Sequence, residues 1–200
     1  MNPVVAEAAR ALDDHVDARA VVLVEGASDR LAVETLAVRQ GRDLATEGVV
    51  VVAMGGATNI GHFLELLGTS RPELRLAGLC DAGEVPAFRR GLERAARVDA
   101  LPVRDIESLG FHVCVDDLED ELIRALGPAR VEELLDAEGE LRSFRIFQQQ
   151  PAQQGRTTQR QLRRFMGTRS GRKAHYAAVL VAALDLARVP RPLDLLLAGV

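Results

Sequence analysis

Six carboxylates stand at or just beyond the ends of apolar runs: Glu25, Asp29, Asp81, Glu84, Asp117 and Glu119. Glu25 directly follows the run Ala20–Val24, and Asp29 comes four residues later. Asp81 follows Leu74–Cys80, with Glu84 three residues on. Converging carboxylates repel one another, so several can share a site only if a cation joins them. Hard oxygen donors in that number suit Mg²⁺ or Mn²⁺. An ion held there can activate water and steady the leaving oxygen of a phosphodiester, alone or with a second ion. Taken singly, Asp29 and Glu84 have a plainer explanation, because an acidic residue in a helix's first turn is favoured by the macrodipole. Glu25 and Asp81 differ, since each directly ends an apolar, strand-length run.

The elements that must position these groups can be read from periodicity. Pro3–Val16 spaces apolar residues as one helix face. Ala20–Val24, Val49–Ala53, Leu74–Cys80 and Gly110–Val115 are short, continuous apolar runs, as expected of strands buried on both faces. Helical segments alternate with them: one from Ser28 with Leu31, Leu36 and Val38, then Thr58–Leu67, Val85–Arg97 and Leu118–Leu126. Strand–helix alternation with short links argues a doubly wound α/β fold with a parallel four-stranded sheet flanked by helices. In such sheets ligands collect outside the carboxyl ends of the strands, where the strand order reverses. Beyond Gly127 the strand signal ends. Val131–Leu135, Leu141–Phe147, Thr158–Met166, Arg172–Ala187 and Leu193–Ala198 read as helices, and the polar stretch 148–154 reads as a loop. The expected organisation is an N-terminal helix (1–17), an α/β domain (18–127) and a helical C-terminal extension (128–200), packed on the domain or on a partner.

The charge is lopsided. The 200 residues carry a net −4, yet Leu141–Leu184 holds nine basic residues and no acidic one, leaving −13 for the remainder. Arg156, Arg160, Arg163 and Arg164 fall at i, i+4, i+7 and i+8, one helical stripe, with Arg172 shortly after. Such a stripe suits a phosphate backbone, and pairing with the acidic half of the same chain suits it equally. Lys173 is the single lysine among 25 basic residues. A compact ammonium differs from a guanidinium fork, which favours a specific role for it. His62 and His112 read as packing histidines, and His175 stands beside Lys173 and Tyr176. Cys80 and Cys114 lie in apolar runs and read as buried thiols. No apolar run approaches the roughly 18 residues of a membrane span, and no signal-peptide pattern begins the chain. The expected location is therefore the cytoplasm, and the arginine bias fits a GC-rich bacterial genome.

Together these residues resemble a family. Val21-Val-Leu-Val-Glu25-Gly-Ala-Ser-Asp29, the turn Gly55-Gly-Ala-Thr-Asn59-Ile, Leu79-Cys-Asp81 and Asp117-Leu-Glu119-Asp-Glu-Leu122 are similar to the TOPRIM domain, in its OLD (overcoming lysogenization defect) nuclease branch. Gly171-Arg-Lys173-Ala resembles that branch's late basic residue. The resemblance covers residues 20–125 well and the remainder loosely. It implies a TOPRIM fold, Mg²⁺ or Mn²⁺ as cofactor, and a metal set of Glu25, Asp29, Asp81, Glu84, Asp117 and Glu119. Glu25 would also act in acid/base catalysis, and Lys173 would stabilise charge at the scissile phosphate. One departure is plain: most TOPRIM domains carry Asp-x-Asp after the third strand, whereas this chain reads Asp81-Ala-Gly83-Glu84.

The resemblance implies a metal-dependent nuclease or related phosphodiester-transfer enzyme acting on DNA or RNA. The alternative is a non-catalytic nucleic-acid or partner-binding module with a degenerate metal site. A receiver-like phosphotransfer domain is a third reading, but receivers carry an acidic pair at the first strand's end, and here glycine follows Glu25. OLD nucleases join TOPRIM to an ABC-type ATPase. Since this chain has no Gly-x4-Gly-Lys-Ser/Thr loop, the expectation is either a stand-alone TOPRIM protein or half of a split system completed by a separate ABC-type ATPase subunit; a homodimer is compatible, and no membrane partner is expected.

Overall fold

The computed structural model describes residues 17–96, 103–169 and 171–200. The expected helix over Pro3–Val16, and Arg97 at the end of another, lie outside the described residues. Four strands form one parallel sheet: β1 (Ala20–Val24), β2 (Val49–Ala53), β3 (Arg75–Cys80) and β4 (Phe111–Val113), in the order β2-β1-β3-β4. Pairing is in continuous register, Val24 with Ala53, Leu23 with Gly78, and Cys80 with Val113. The order reverses at β1, whose successors β2 and β3 lie on opposite sides of it. The switch-point crevice therefore opens between the carboxyl ends of β1 and β3, which Glu25 and Asp81 directly follow.

The helices are α1 (Ala27–Arg39), α2 (Ile60–Ser70), α3 (Val85–Ala96), α4 (Val103–Ser108), α5 (Leu118–Leu126), α6 (Pro128–Ala137), α7 (Leu141–Gln148), α8 (Thr158–Met166), α9 (Arg172–Ala183) and α10 (Arg191–Ala198). Successive residues of β1 point to opposite faces, as the pleat requires. Val21 and Leu23 pack with Ile60, Phe63 and Leu67 of α2 and with Phe88 and Leu92 of α3. Val22 and Val24 pack with Ala32, Val33 and Leu36 of α1 and, in the same apolar cluster, with Tyr176, Leu180 and Val181 of α9 and Leu196 of α10. Residues beyond 127 thus supply half of one covering layer. Each fully buried Leu or Val contributes about 1.5–3 kcal/mol. β1 is buried at all five positions because helices cover both faces, which explains its unbroken apolar sequence.

Arginines fasten the C-terminal helices to the sheet's lower end. Arg39 donates to Val181 O and Leu184 O at 2.8 and 2.7 Å, satisfying carbonyls that the end of α9 leaves open. Arg42 donates to the carbonyls of Leu197 and Val200, and Arg75 to Gly199 O at 2.8 Å.

Several expectations are corrected. Leu31 and Val38 are 36% and 72% exposed. The inward face of α1 uses Ala32, Val33, Leu36 and Ala37 instead, because small side chains let α9 approach closely. The fourth strand stops at Val113, since the Val115 N–H donates to Glu121 Oε1 at 2.8 Å and leaves the ladder. The polar stretch 148–154 is a loop, as expected, with a 3-10 turn at Pro151–Gln153. Gln153 is buried, Gln148 donates to Gln161 Oε1 at 2.7 Å, and Gln161 donates to Gln153 O at 2.9 Å. Helix α4 was not anticipated. His62 is exposed rather than packed.

Candidate metal centre

Backbone ties bring four loops to the switch point. The turn after β2 uses Gly55 and Gly56 at φ 68° and 125°, a region closed to most L-residues. It is fixed by Asn59 Nδ2 donating to Met54 O at 2.8 Å, and the Gly56 N–H donates to Glu25 O at 3.1 Å. The glycine pair thus forms a tight strand-to-helix turn. On the other side, the Ala82 N–H donates to Asp116 O at 3.1 Å and the Cys114 N–H to Cys80 O at 2.9 Å. The loop bearing Asp81 is thereby joined to the loop that leads into α5.

The carboxylates brought together differ in how far they are already committed. Asp29 is buried in the first turn of α1, where its Oδ2 accepts from the Gly26 N–H at 2.9 Å. The helix-capping explanation therefore holds for one of its oxygens. Asp117 caps α5, Oδ1 accepting from the Asp120 N–H at 2.9 Å, while Oδ2 accepts from Arg163 Nε at 2.6 Å. Asp120 accepts from Gln159 Nε2 at 2.6 Å and Arg124 Nε at 2.9 Å. Glu121 holds the Val115 N–H and pairs with Arg124 at 2.6 Å. Glu119 is 2% exposed and its Oε2 lies 3.0 Å from Lys173 Nζ, an ion pair outside hydrogen-bond geometry, while its Oε1 has no partner of either kind. Of the acidic residues at the start of α5, only Glu119 keeps a buried oxygen uncommitted. Asp81 starts the 3-10 turn Ala82–Glu84 in extended conformation but makes no side-chain cap. Glu84 is half-buried in the same turn.

The electrostatics show that these groups share one field. Burial, then the charge of Asp29, raises the Glu25 pKa, with Glu84 and Asp117 adding and Lys173 opposing. Burial raises that of Asp29, opposed by Lys173 and by the Gly26 N–H. Asp81 is pushed up to about 7 by burial and by Asp29, Asp117 and Glu25. Glu119 reaches about 7 chiefly through burial, despite Lys173. Burial works against the charge of Lys173, yet Glu119, Asp29 and Asp117 hold its pKa above the ordinary lysine value. Lys173 is therefore a permanent ammonium and not a base.

Among the described residues, no three His, Cys, Asp or Glu side chains form a ready-made metal-binding group. The donors nonetheless fit a hard divalent cation. They are all carboxylate oxygens, their mutual repulsion awaits a counter-charge, and Glu119 Oε1 is a buried acceptor without a donor.

Two of the arginines expected at a nucleic acid are engaged within the chain. Arg172 is buried, its guanidinium 4.1 Å over the Phe165 ring, donating to Thr168 Oγ1 at 2.6 Å and to Glu140 Oε1 at 3.0 Å. Arg163 turns inward to Asp117. The Phe165 ring makes burial of the Arg172 stem cheap, whereas Arg163 stays partly exposed and is held by the charge of Asp117. Arg156, Arg160 and Arg164 are exposed, and none of the three forms an ion pair among the described residues. His175 pairs with Glu138, its Nε2 2.7 Å from Glu138 Oε2. The sequence left Arg163 equally open to a phosphate backbone and to the acidic half of the chain, and it is the second that the structure shows; Gln159 as a partner of the acidic loop was not anticipated. No local signal joins residues some 40 positions apart.

A parallel sheet with acidic groups converging at its β1/β3 switch point, covered by helices on both faces, is the TOPRIM arrangement. Residues 18–81 match the family model described as "Overcoming lysogenization defect protein-like, TOPRIM domain", so the chain carries an OLD-like TOPRIM domain. The fold is similar to that of the C-terminal region of the Xanthomonas campestris pv. campestris OLD protein, with TM-score 0.68, 23% identity, and 91% of each chain covered. It is also similar to the C-terminal region of the Burkholderia pseudomallei OLD protein, with TM-score 0.63, 18% identity, and 91% of this chain and 96% of that one covered. The likeness extends over the C-terminal helices, beyond the segment matched by the family model. No curated protein matches the sequence significantly.

Proposed function

We propose that this chain is a divalent-metal-dependent nuclease that hydrolyses phosphodiester bonds in DNA or RNA. The observation that carries the reading is Glu119: a buried carboxylate paired with Lys173, with an oxygen that has no donor, in the field of Asp117 and Asp29. Glu25, Asp29, Asp81 and Glu119 would hold Mg²⁺ or Mn²⁺, with Glu84 in the place nearest the missing second aspartate. When bound, the ion would lower the pKa of a water and neutralise charge on the phosphate. Asp117 supports the site by capping α5 and holding Arg163.

The chain's own groups supply the rest. Lys173, fixed as an ammonium, donates to a non-bridging phosphate oxygen as charge builds there. Glu25, half-buried with a raised pKa, would take a proton from the attacking water. Arg156, Arg160 and Arg164 offer the strand an exposed row of charge. A separate ATPase subunit and a homodimer remain compatible partners, and no described helix is long and apolar enough to cross a membrane.

The test is plasmid nicking by purified protein with Mn²⁺ and then Mg²⁺. Cleavage is expected with the wild type and is expected to vanish with Asp81→Ala. Cleavage surviving Asp81→Ala, or none by the wild type, overturns the assignment. Gly83 in place of a second aspartate favours the alternative of a non-catalytic binding module. In that case the wild type would bind nucleic acid without cutting it.

A further inference from the structure

The carboxylates divide into two sets that the structure treats differently. Asp117 and Glu119, at the start of α5, each carry a cation from the C-terminal helices: Arg163 Nε at 2.6 Å from Asp117 Oδ2, and Lys173 Nζ at 3.0 Å from Glu119 Oε2. Glu25 and Asp81, at the ends of β1 and β3, form no ion pair among the described residues, and Asp29 is held only by a backbone N–H. We infer that Lys173 is the resident counter-ion of the α5 half of the site and excludes a second divalent ion from Glu119 until it moves away. The inference rests on the metal-dependent reading above. It adds that the two halves load unequally, the β1/β3 half first.

Three observations carry it. Glu119 is almost wholly buried, so its charge must be compensated locally, and Lys173 is the ammonium within reach. Its second oxygen has no donor, so the compensation is incomplete and leaves an acceptor for another cation. Lys173 is half-exposed on a flexible stem, and it can swing to solvent or to a phosphate without unpacking α9. The helix itself stays anchored by Arg172 on Glu140 and by Arg39 on the carbonyls at its far end. Arrival of a substrate phosphate would thus draw Lys173 from Glu119 and open the second position. Substrate binding and completion of the metal site would be coupled through one side chain.

The experiment is Mn²⁺ titration at pH 8 by calorimetry and by the loss of the free Mn²⁺ resonance, with the fold checked by circular dichroism. The variants are Lys173→Met, Lys173→Gln and Lys173→Met/Glu119→Gln, so that Lys173→Gln reads the same term if Lys173→Met folds poorly. The wild type is expected to bind one ion. Removing the ammonium is expected to add a second ion or tighten binding by about tenfold or more, and Glu119→Gln is expected to cancel that gain. Unchanged or weaker binding in both single variants, with the wild type still holding one ion, overturns the counter-ion role and leaves the metal reading standing. No Mn²⁺ bound by any variant overturns both.

Discussion

Lys173 and Glu119 are unequal partners across a 3.0 Å ion pair, the lysine side chain 46% exposed and the glutamate 2%. Losing the lysine strands a buried carboxylate, whereas losing the glutamate frees a lysine into water. Lys173→Met should therefore cost about 1–3 kcal/mol at pH 8, and Glu119→Gln much less. The pH dependence follows from the raised Glu119 pKa of about 7. A carboxyl whose folded pKa exceeds its unfolded value contributes most below the unfolded value, and that contribution is lost as pH rises through the folded one. The Lys173→Met deficit should accordingly shrink at pH 5, where Glu119 is protonated in the folded chain. Urea melts at the two pH values measure it, and equal deficits would contradict the arrangement.

Asp81 titrates near 7 without an ion-pair partner among the described residues. Its ionised form is disfavoured by folding, so Asp81→Asn and wild type should melt alike below about pH 4. The variant should gain as pH rises through 7. A penalty of about 1 kcal/mol corresponds to roughly 2–4 °C. Thermal melts of the metal-free protein from pH 4 to 8 read this directly, and added Mn²⁺ should narrow the difference by stabilising only the wild type.

Arg164 is exposed and Arg163 is bound to Asp117. Arg164→Ala should weaken nucleic-acid binding and lower the slope of log K against log salt by about 1. Arg163→Ala should leave that slope nearly unchanged and instead lower the melting temperature, because it releases Asp117 at the cap of α5. Binding isotherms at several salt concentrations distinguish the two, and identical slope changes would remove the distinction drawn between them.

Gly83 occupies the place of the missing second aspartate, and a Cβ there meets nothing within 4 Å. Gly83→Asp should therefore fold normally. By adding a carboxylate beside Asp81, it should tighten Mn²⁺ binding by calorimetry. The neighbouring strand shows the contrast. At Gly78 a Cβ would lie 2.4 Å from Leu23 O, so no side chain can stand where β1 and β3 pass. Unchanged affinity in Gly83→Asp would mean that the 3-10 turn directs position 83 away from the site.

Much of this protein is determined along the chain itself. β1 and β3 announce themselves as short apolar runs because a strand covered on both faces has no polar side to show. Glu25 and Asp81 stand out because a charge directly after such a run must sit at the sheet's carboxyl edge. The uncommitted state of Glu119, by contrast, is a tertiary fact. Nothing in the sequence pairs Asp117, Glu119 or Asp120 with a partner, and only the packing of α8 and α9 against α5 assigns Arg163 to Asp117, Gln159 to Asp120 and Lys173 to Glu119. The basic stripe was divided in the same way, with Arg163 held by Asp117 and Arg172 by Glu140, while Arg160 and Arg164 are left in water. Residue type and period fix what a side chain can do and which face of its own element it occupies. Which partner it meets depends on contacts between helices that only the folded chain brings together.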